Sequence, residues 1–263
     1  MKRPTEAGYS LLEVLVVASV VALIAAGTFA VYDASNRIYQ RATALEDAQL
    51  RARAGLALMV TDLRLIGAYW TGATGAGSAI VSATPTSISF MADVNGESVH
   101  DNIDAATAAP AQAGASAVTI DAPPSRVVRI FNTYANPALN DFVYVAHGSR
   151  REVGQVTSLS GSTLTLARPL ASTYPAGSLV RSVEKVTYAL NPATGKLTRA
   201  VGGSGALTVV NDVAALAMTY FDGRHPGSLT SDPSRIREIH IALTTAADDH
   251  GTRAMTSRVR LRN

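Results

Sequence analysis

The stretch GYSLLEVL, Gly8 to Leu15, decides how the chain is read. A short leader with Lys2 and Arg3 ends at Gly8, and an apolar run then begins with Glu13 inside it. From Val14 to Tyr32 no residue is charged. As helix this run is roughly 28 Å long, close to the hydrocarbon thickness of a bilayer. A carboxylate at membrane depth costs on the order of 2.5 kcal/mol or more unless it is paired. Glu13 therefore either reaches the nearby interface or meets a partner.

Three kinds of segment begin this way. A cleaved signal peptide would use small residues such as Ala25, Gly27, Thr28 and Ala30 at its cut site. A plain anchor would only cross the bilayer. A third kind crosses it and also packs against other helices. Arg37 and Arg41 follow the run as closely as Lys2 and Arg3 precede it, so charge does not orient the segment.

The residues downstream disfavour a cleaved peptide. Ile38, Ala42, Leu45, Gln49, Ala52, Leu56, Met59, Leu63 and Ile66 follow one another at alternating spacings of four and three, which is one helical face. Arg37, Arg41, Glu46, Arg51, Arg53 and Asp62 occupy the opposite face and read as solvated. No proline occurs between Tyr9 and Ile66. A continuous helix over 9–67 is predicted, a membrane anchor over 9–32 and amphipathic beyond, with Gly67 as its stop. The amphipathic half is expected to pack on its own domain.

The body of the chain reads as β structure. With 263 residues, 47% hydrophobic and only 16% charged, the chain supports one sizeable domain plus an extra element. Net charge is +3, too weak to argue for nucleic acid, and the absence of cysteine excludes disulfides and thiolate chemistry. Alternation predicts strands at 87–94, 117–120, 126–131, 141–146, 152–159, 162–166, 179–190, 196–200, 236–245 and 256–261. Residues 209–221 mix signals. Asn95-Gly96 is a hairpin-turn pair, and the alanine-rich 104–117 reads as a surface loop. The fold class is α+β: one long helix packed on an antiparallel sheet domain spanning 68–263.

At its head the chain resembles the type IV pilins and type II secretion pseudopilins. The resemblance rests on Gly8, the aromatic Tyr9, Ser10-Leu11-Leu12-Glu13-Val14 and the apolar helix that follows. Further along, DFVYVAHGSRREVGQVTSLSGSTLTLARPLASTYPAGSLV, VEKVTYALNPATGKLTRA, VVNDVAALAMTYFDG, SRIREIHIALTT and the ending VRLRN are similar to minor pilins of the PilW type and to J-type minor pseudopilins. The resemblance implies a leader over 1–8, cut between Gly8 and Tyr9 by a prepilin peptidase. It also implies N-methylation of Tyr9 and pairing of Glu13 with the N-terminus of a neighbouring subunit. The expected partners are other major and minor pilins, the peptidase and an inner-membrane assembly platform. The implied place is the inner membrane, with a periplasmic domain, and then a filament in which the subunit primes assembly or caps the tip. Tyr9 and Ser10 stand where phenylalanine and threonine are usual, conservative changes both. The alternatives are a pseudopilus subunit or, in a different class, a secreted β-rich adhesin with an ordinary signal peptide.

Other chemistry is thinly supported by the residues. Asp93, Asn95 and Glu97 are oxygen donors at short spacing, a calcium candidate, but the spacing is not that of an EF-hand loop and turn chemistry explains them more simply. His100, His147, His225, His240 and His250 show no metal-ligand spacing, and Asp222…His225 and Asp248-Asp249-His250 read as turn residues. No nucleotide or hydrolase fingerprint is present, so neither an enzyme nor a cofactor is expected. Arg258, Arg260 and Arg262 share one face of a terminal strand. They read as a charged edge that discourages pairing rather than as a nucleic-acid stripe.

Overall fold

A computed structural model describes residues 10–67, 77–94, 105–123, 141–202, 205–223, 225, 227–247 and 250–261. Helix α1 runs unbroken over Leu11–Leu63, 53 residues or about 80 Å. It stops four residues short of Gly67 because its last turn tightens. The amides of Leu65 and Ile66 bond the carbonyls of Asp62 and Leu63 at 2.9 and 3.3 Å, three residues back. Gly67 then takes φ 77°, the left-handed conformation that glycine enters without strain.

Every residue from Ser10 to Thr43 is exposed. Burial begins at Ala44 and deepens through Ala48, Ala52, Gly55, Leu56, Met59, Asp62 and Leu63. The predicted amphipathic face therefore packs only from Leu45 onward, whereas Ile38 and Ala42 project free of the domain. Asp62 corrects the reading of the polar face. It is 4% exposed, and its Oδ2 accepts both the Tyr188 hydroxyl and the Arg199 Nε at 2.7 Å. Burial, and then the bond to Asp62, hold the Tyr188 phenol well above its ordinary value, so it stays a donor.

The strands, in chain order, are β1 (Ile80–Thr84), β2 (Ser87–Ala92), β3 (Ala105–Ala106), β4 (Ala117–Thr119), β5 (Asp141–His147), β6 (Arg150–Ser160), β7 (Thr163–Leu166), β8 (Leu179–Asn191), β9 (Lys196–Val201), β10 (Leu207–Val210), β11 (Val213–Asp222), β12 (Ile236–Ala246) and β13 (Thr252–Arg260). All pairings among them are antiparallel. The predicted strand at 126–131 and the Asn95-Gly96 turn lie outside the described residues. The mixed stretch 209–221 resolves into the end of β10, a turn at Asp212 with φ 57°, and β11.

Two sheets divide the work. A ten-stranded sheet follows β1-β2-β8-β5-β6-β7-β4, with β9 and β3 also on β8 and β10 on β9; a second sheet is β11-β12-β13. The long β8 serves two cores. Its Val186 and Tyr188 join the buried face of α1, together with Phe90, Leu216, Ile239, Ile241, Leu243 and Val259. Its Val180 joins a second core with Val143, Val156, Leu164 and Tyr174. The alanine-rich stretch is largely exposed over its described residues 105–117, but Ala105 and Ala111 anchor it to that second core. Ala105, Thr107 and Ala111 are buried, and Ala111 bridges Tyr174 by backbone bonds. Small side chains let this segment approach closely.

Helix and domain meet through backbone as well as side chains. Thr245 donates its hydroxyl to the Ala48 carbonyl at 2.7 Å, and Arg51 reaches the Ala246 carbonyl at 3.2 Å and Asp212 at 3.7 Å. A Cβ on Gly55 would lie 2.1 Å from Val210 Cγ2, so glycine is what allows β10 to sit against the helix.

Candidate functional site

The head of α1 is built by a local device. Ser10 has an extended backbone, φ −71° and ψ 142°, and caps the helix with its side chain. Its hydroxyl accepts from the Leu12 amide at 3.4 Å, and its own amide donates to Glu13 Oε2 at 3.2 Å. Ser10-Leu-Leu-Glu13 is thus a capping box. The Ser-x-x-Glu spacing that specifies this device is visible in the sequence, and it gives Glu13 a local task besides reaching the interface or meeting a partner. Carboxylates at a helix N-terminus also meet the positive end of its dipole.

Beyond the cap, the helix offers lipid or another helix nothing but apolar surface for several turns. Leu11, Leu23 and Phe29 are 83%, 74% and 73% exposed. Ser19 and Thr28 turn their hydroxyls back onto the carbonyls of Val16 and Ile24, at 2.8 and 2.9 Å. That internal satisfaction is what a membrane-embedded helix requires of its hydroxyls. The helix is long and apolar enough to cross a bilayer, as an anchor or as a signal sequence. Glu13 is the one charged side chain on it before Asp33, which pairs with Arg37 at 2.7 Å. Gly8 and Tyr9 lie outside the described residues.

The other candidates fall in different places. Asp93 is 8% exposed beside the end of β2, while Asn95 and Glu97 lie outside the described residues. Among the described residues, no group of three or more His, Asp or Glu side chains is placed to hold a metal. Asp222 is not a turn residue beside His225. It ends β11, is 5% exposed, and its carboxylate binds Arg235. His147 sits at the β5–β6 turn, and His250 lies between β12 and β13. His100, Asp248 and Asp249 lie outside the described residues.

The terminal strand β13 carries its arginines as expected, with Arg258 and Arg260 exposed and Val259 and Leu261 buried. Arg258 donates to Glu238 on β12, with Nε 2.6 Å from Oε1 and Nη2 2.7 Å from Oε2. Arg260 Nε lies 3.6 Å from the same carboxylate. Arg262 lies outside the described residues. No family model and no curated protein sequence matches the chain.

Proposed function

We propose that the chain is a membrane-anchored minor pilin of the PilW type, processed between Gly8 and Tyr9 and built into a type IV filament through α1. The observation that carries this reading is the division of α1. One continuous helix packs its second half on a β domain and leaves Ser10 to Thr43 exposed, with a lone carboxylate at its head. A free domain gains nothing from so long an apolar projection. An anchor alone needs about 20 residues, so the projection beyond Tyr32 is suited to neighbouring helices. A signal peptidase cut near Ala30 would fall in the middle of an unbroken helix.

In this reading Glu13 has two tasks. Before and after processing it caps the helix through the Ser10 amide. In the assembled filament it compensates the α-amine of a neighbouring Tyr9, since each charge is costly in lipid and the two relieve one another. The β domain stands on the periplasmic side and then on the filament surface. Other pilins, the prepilin peptidase and the assembly platform are its partners.

N-terminal mass analysis of the chain purified from membranes tests the processing. A methylated Tyr9 start is expected; a start near Val31 overturns the reading in favour of a secreted protein. Glu13 separates capping from pairing by substitution. Glu13→Gln keeps an amide oxygen for the Ser10 N–H but loses the charge, whereas Glu13→Ala loses both. Both variants are expected to be cleaved normally and to drop at least tenfold in co-purified filaments. If Glu13→Gln enters filaments at wild-type level, Glu13 is a cap and nothing more.

A further inference from the structure

The far end of the second sheet holds a cleft that the filament role does not use. Its volume is about 670 Å³, within the range of small-molecule sites. Four guanidinium groups, from Arg235, Arg237, Arg258 and Arg260, line it against two carboxylates, Asp222 and Glu238. Asp222 is engaged by Arg235. Glu238 is shared by Arg258, Arg260 and His240, whose Nε2 lies 2.6 Å from Oε1. The His240 ring in turn leans on Phe221, with centroids 4.4 Å apart at 46°.

One carboxylate therefore answers three basic side chains. Its own acidity reports the imbalance: the bond from Arg258, ahead of the other contributions, holds the Glu238 carboxyl below its usual range. Arg260 is attracted but not bonded, at 3.6 Å with its side chain 79% exposed. Arg235 Nε is enclosed and has no acceptor among the described residues. Guanidinium groups present planar forks of donors that match carboxylate and phosphate oxygens, and a cleft in which they outnumber the carboxylates attracts anions.

Position narrows the source of such an anion. Thr245 on β12 is level with Ala48, about 24 Å along the helix from Tyr32. Leu243 lies beside Gly55, so β12 read backward from Thr245 heads toward the Leu63 end of the helix, and Glu238 lies seven residues, about 23 Å, along it. If a bilayer holds the apolar run, its headgroups do not reach the cleft, and if none does, a soluble anion is the remaining source.

We propose that this cleft is a binding site for a small soluble anion carrying two or more carboxylate or phosphate groups, with Arg258 and Arg260 as its principal donors and Glu238 as the internal occupant it displaces. The proposal does not depend on the pilin reading. Titration calorimetry of the full chain in nonionic detergent tests it, with citrate and inorganic pyrophosphate as probes at ionic strength held constant by sodium chloride. Saturable binding of one probe or both is expected, and which of them binds separates carboxylate from phosphate recognition. Arg258→Gln is expected to weaken binding at least tenfold. Glu238→Gln is expected to strengthen it severalfold, and Arg53→Gln, on the exposed helix face, to leave it unchanged. Unfolding midpoints of the variants confirm that each is folded. Unsaturable heats with both probes, or an equal loss in Arg53→Gln, overturn the proposal and leave only general charge attraction.

Discussion

The two halves of α1 are one helix in two kinds of company. In the first half every side chain faces outward and the hydroxyls of Ser19 and Thr28 close back on the helix itself. In the second half the exposed face narrows, and polar groups reach out to the domain: Asp62 to Tyr188 and Arg199, Arg51 to Ala246, and the Ala48 carbonyl to Thr245. A helix that must later meet lipid or other subunits satisfies its polar groups internally. One that is already docked also spends them across the joint, although its exposed Thr61 still closes back on the Ala57 carbonyl at 2.9 Å. In the proposed reading, the boundary near Ala44 separates what the chain completes alone from what it leaves for assembly.

The sharpest way to break the contrast is to cut the docked half at Asp62. Asp62→Ala leaves the Arg199 guanidinium and the Tyr188 hydroxyl without their acceptor in a buried site. Loss of one member of a buried ion pair costs about 3–5 kcal/mol. Urea unfolding of the domain in detergent is expected to show a loss of that size, and a loss under 1 kcal/mol would mean that the joint is not held there. Gly55 tests the same half by crowding. Alanine gains about 1 kcal/mol of helix propensity over glycine. Here, however, the added Cβ meets Val210, whose branched side chain has little freedom to yield. Overpacking of this kind costs about 1–3 kcal/mol, so Gly55→Ala is expected to destabilise on balance, and Gly55→Val more.

How much of this was legible follows the range of each interaction. The helix, its continuity and its apolar head are written in local periodicity, and so are most strands. Asp62 was read as solvated because its partners lie more than 120 residues away, where no local pattern points. The stretch 104–117 reads as surface from its simple composition, and most of its described residues are exposed, but its anchors at Ala105, Thr107 and Ala111 are not. Alanine is equally the residue that lets two backbones close up, as Ala111 does on Tyr174. The capping box at Ser10 and Glu13 is legible in the Ser-x-x-Glu spacing, but the cost of a carboxylate in lipid draws attention away from so local a role. The cleft was not legible at all. Its charges share one face only because β12 and β13 pair with Glu238 opposite Arg260 and His240 opposite Arg258.

The smallest expected effect belongs to the first half, and it is the most informative about the boundary. Leu23 is 74% exposed and touches nothing that the domain needs. Leu23→Ala removes apolar surface that water, not protein, meets in the isolated chain, and both residues are good helix formers. The urea midpoint of the domain is expected to stay within about 0.5 kcal/mol of wild type, the range of surface changes. The same substitution lowers the apolar area available to lipid or to a neighbouring helix at about 25 cal/mol per Å². If α1 enters a membrane and a filament as proposed, the cost is expected to appear in membrane retention and filament incorporation instead. A shift of more than 1 kcal/mol in the domain itself would mean that the first half folds back on the second, and that the division of α1 is not a division of labour.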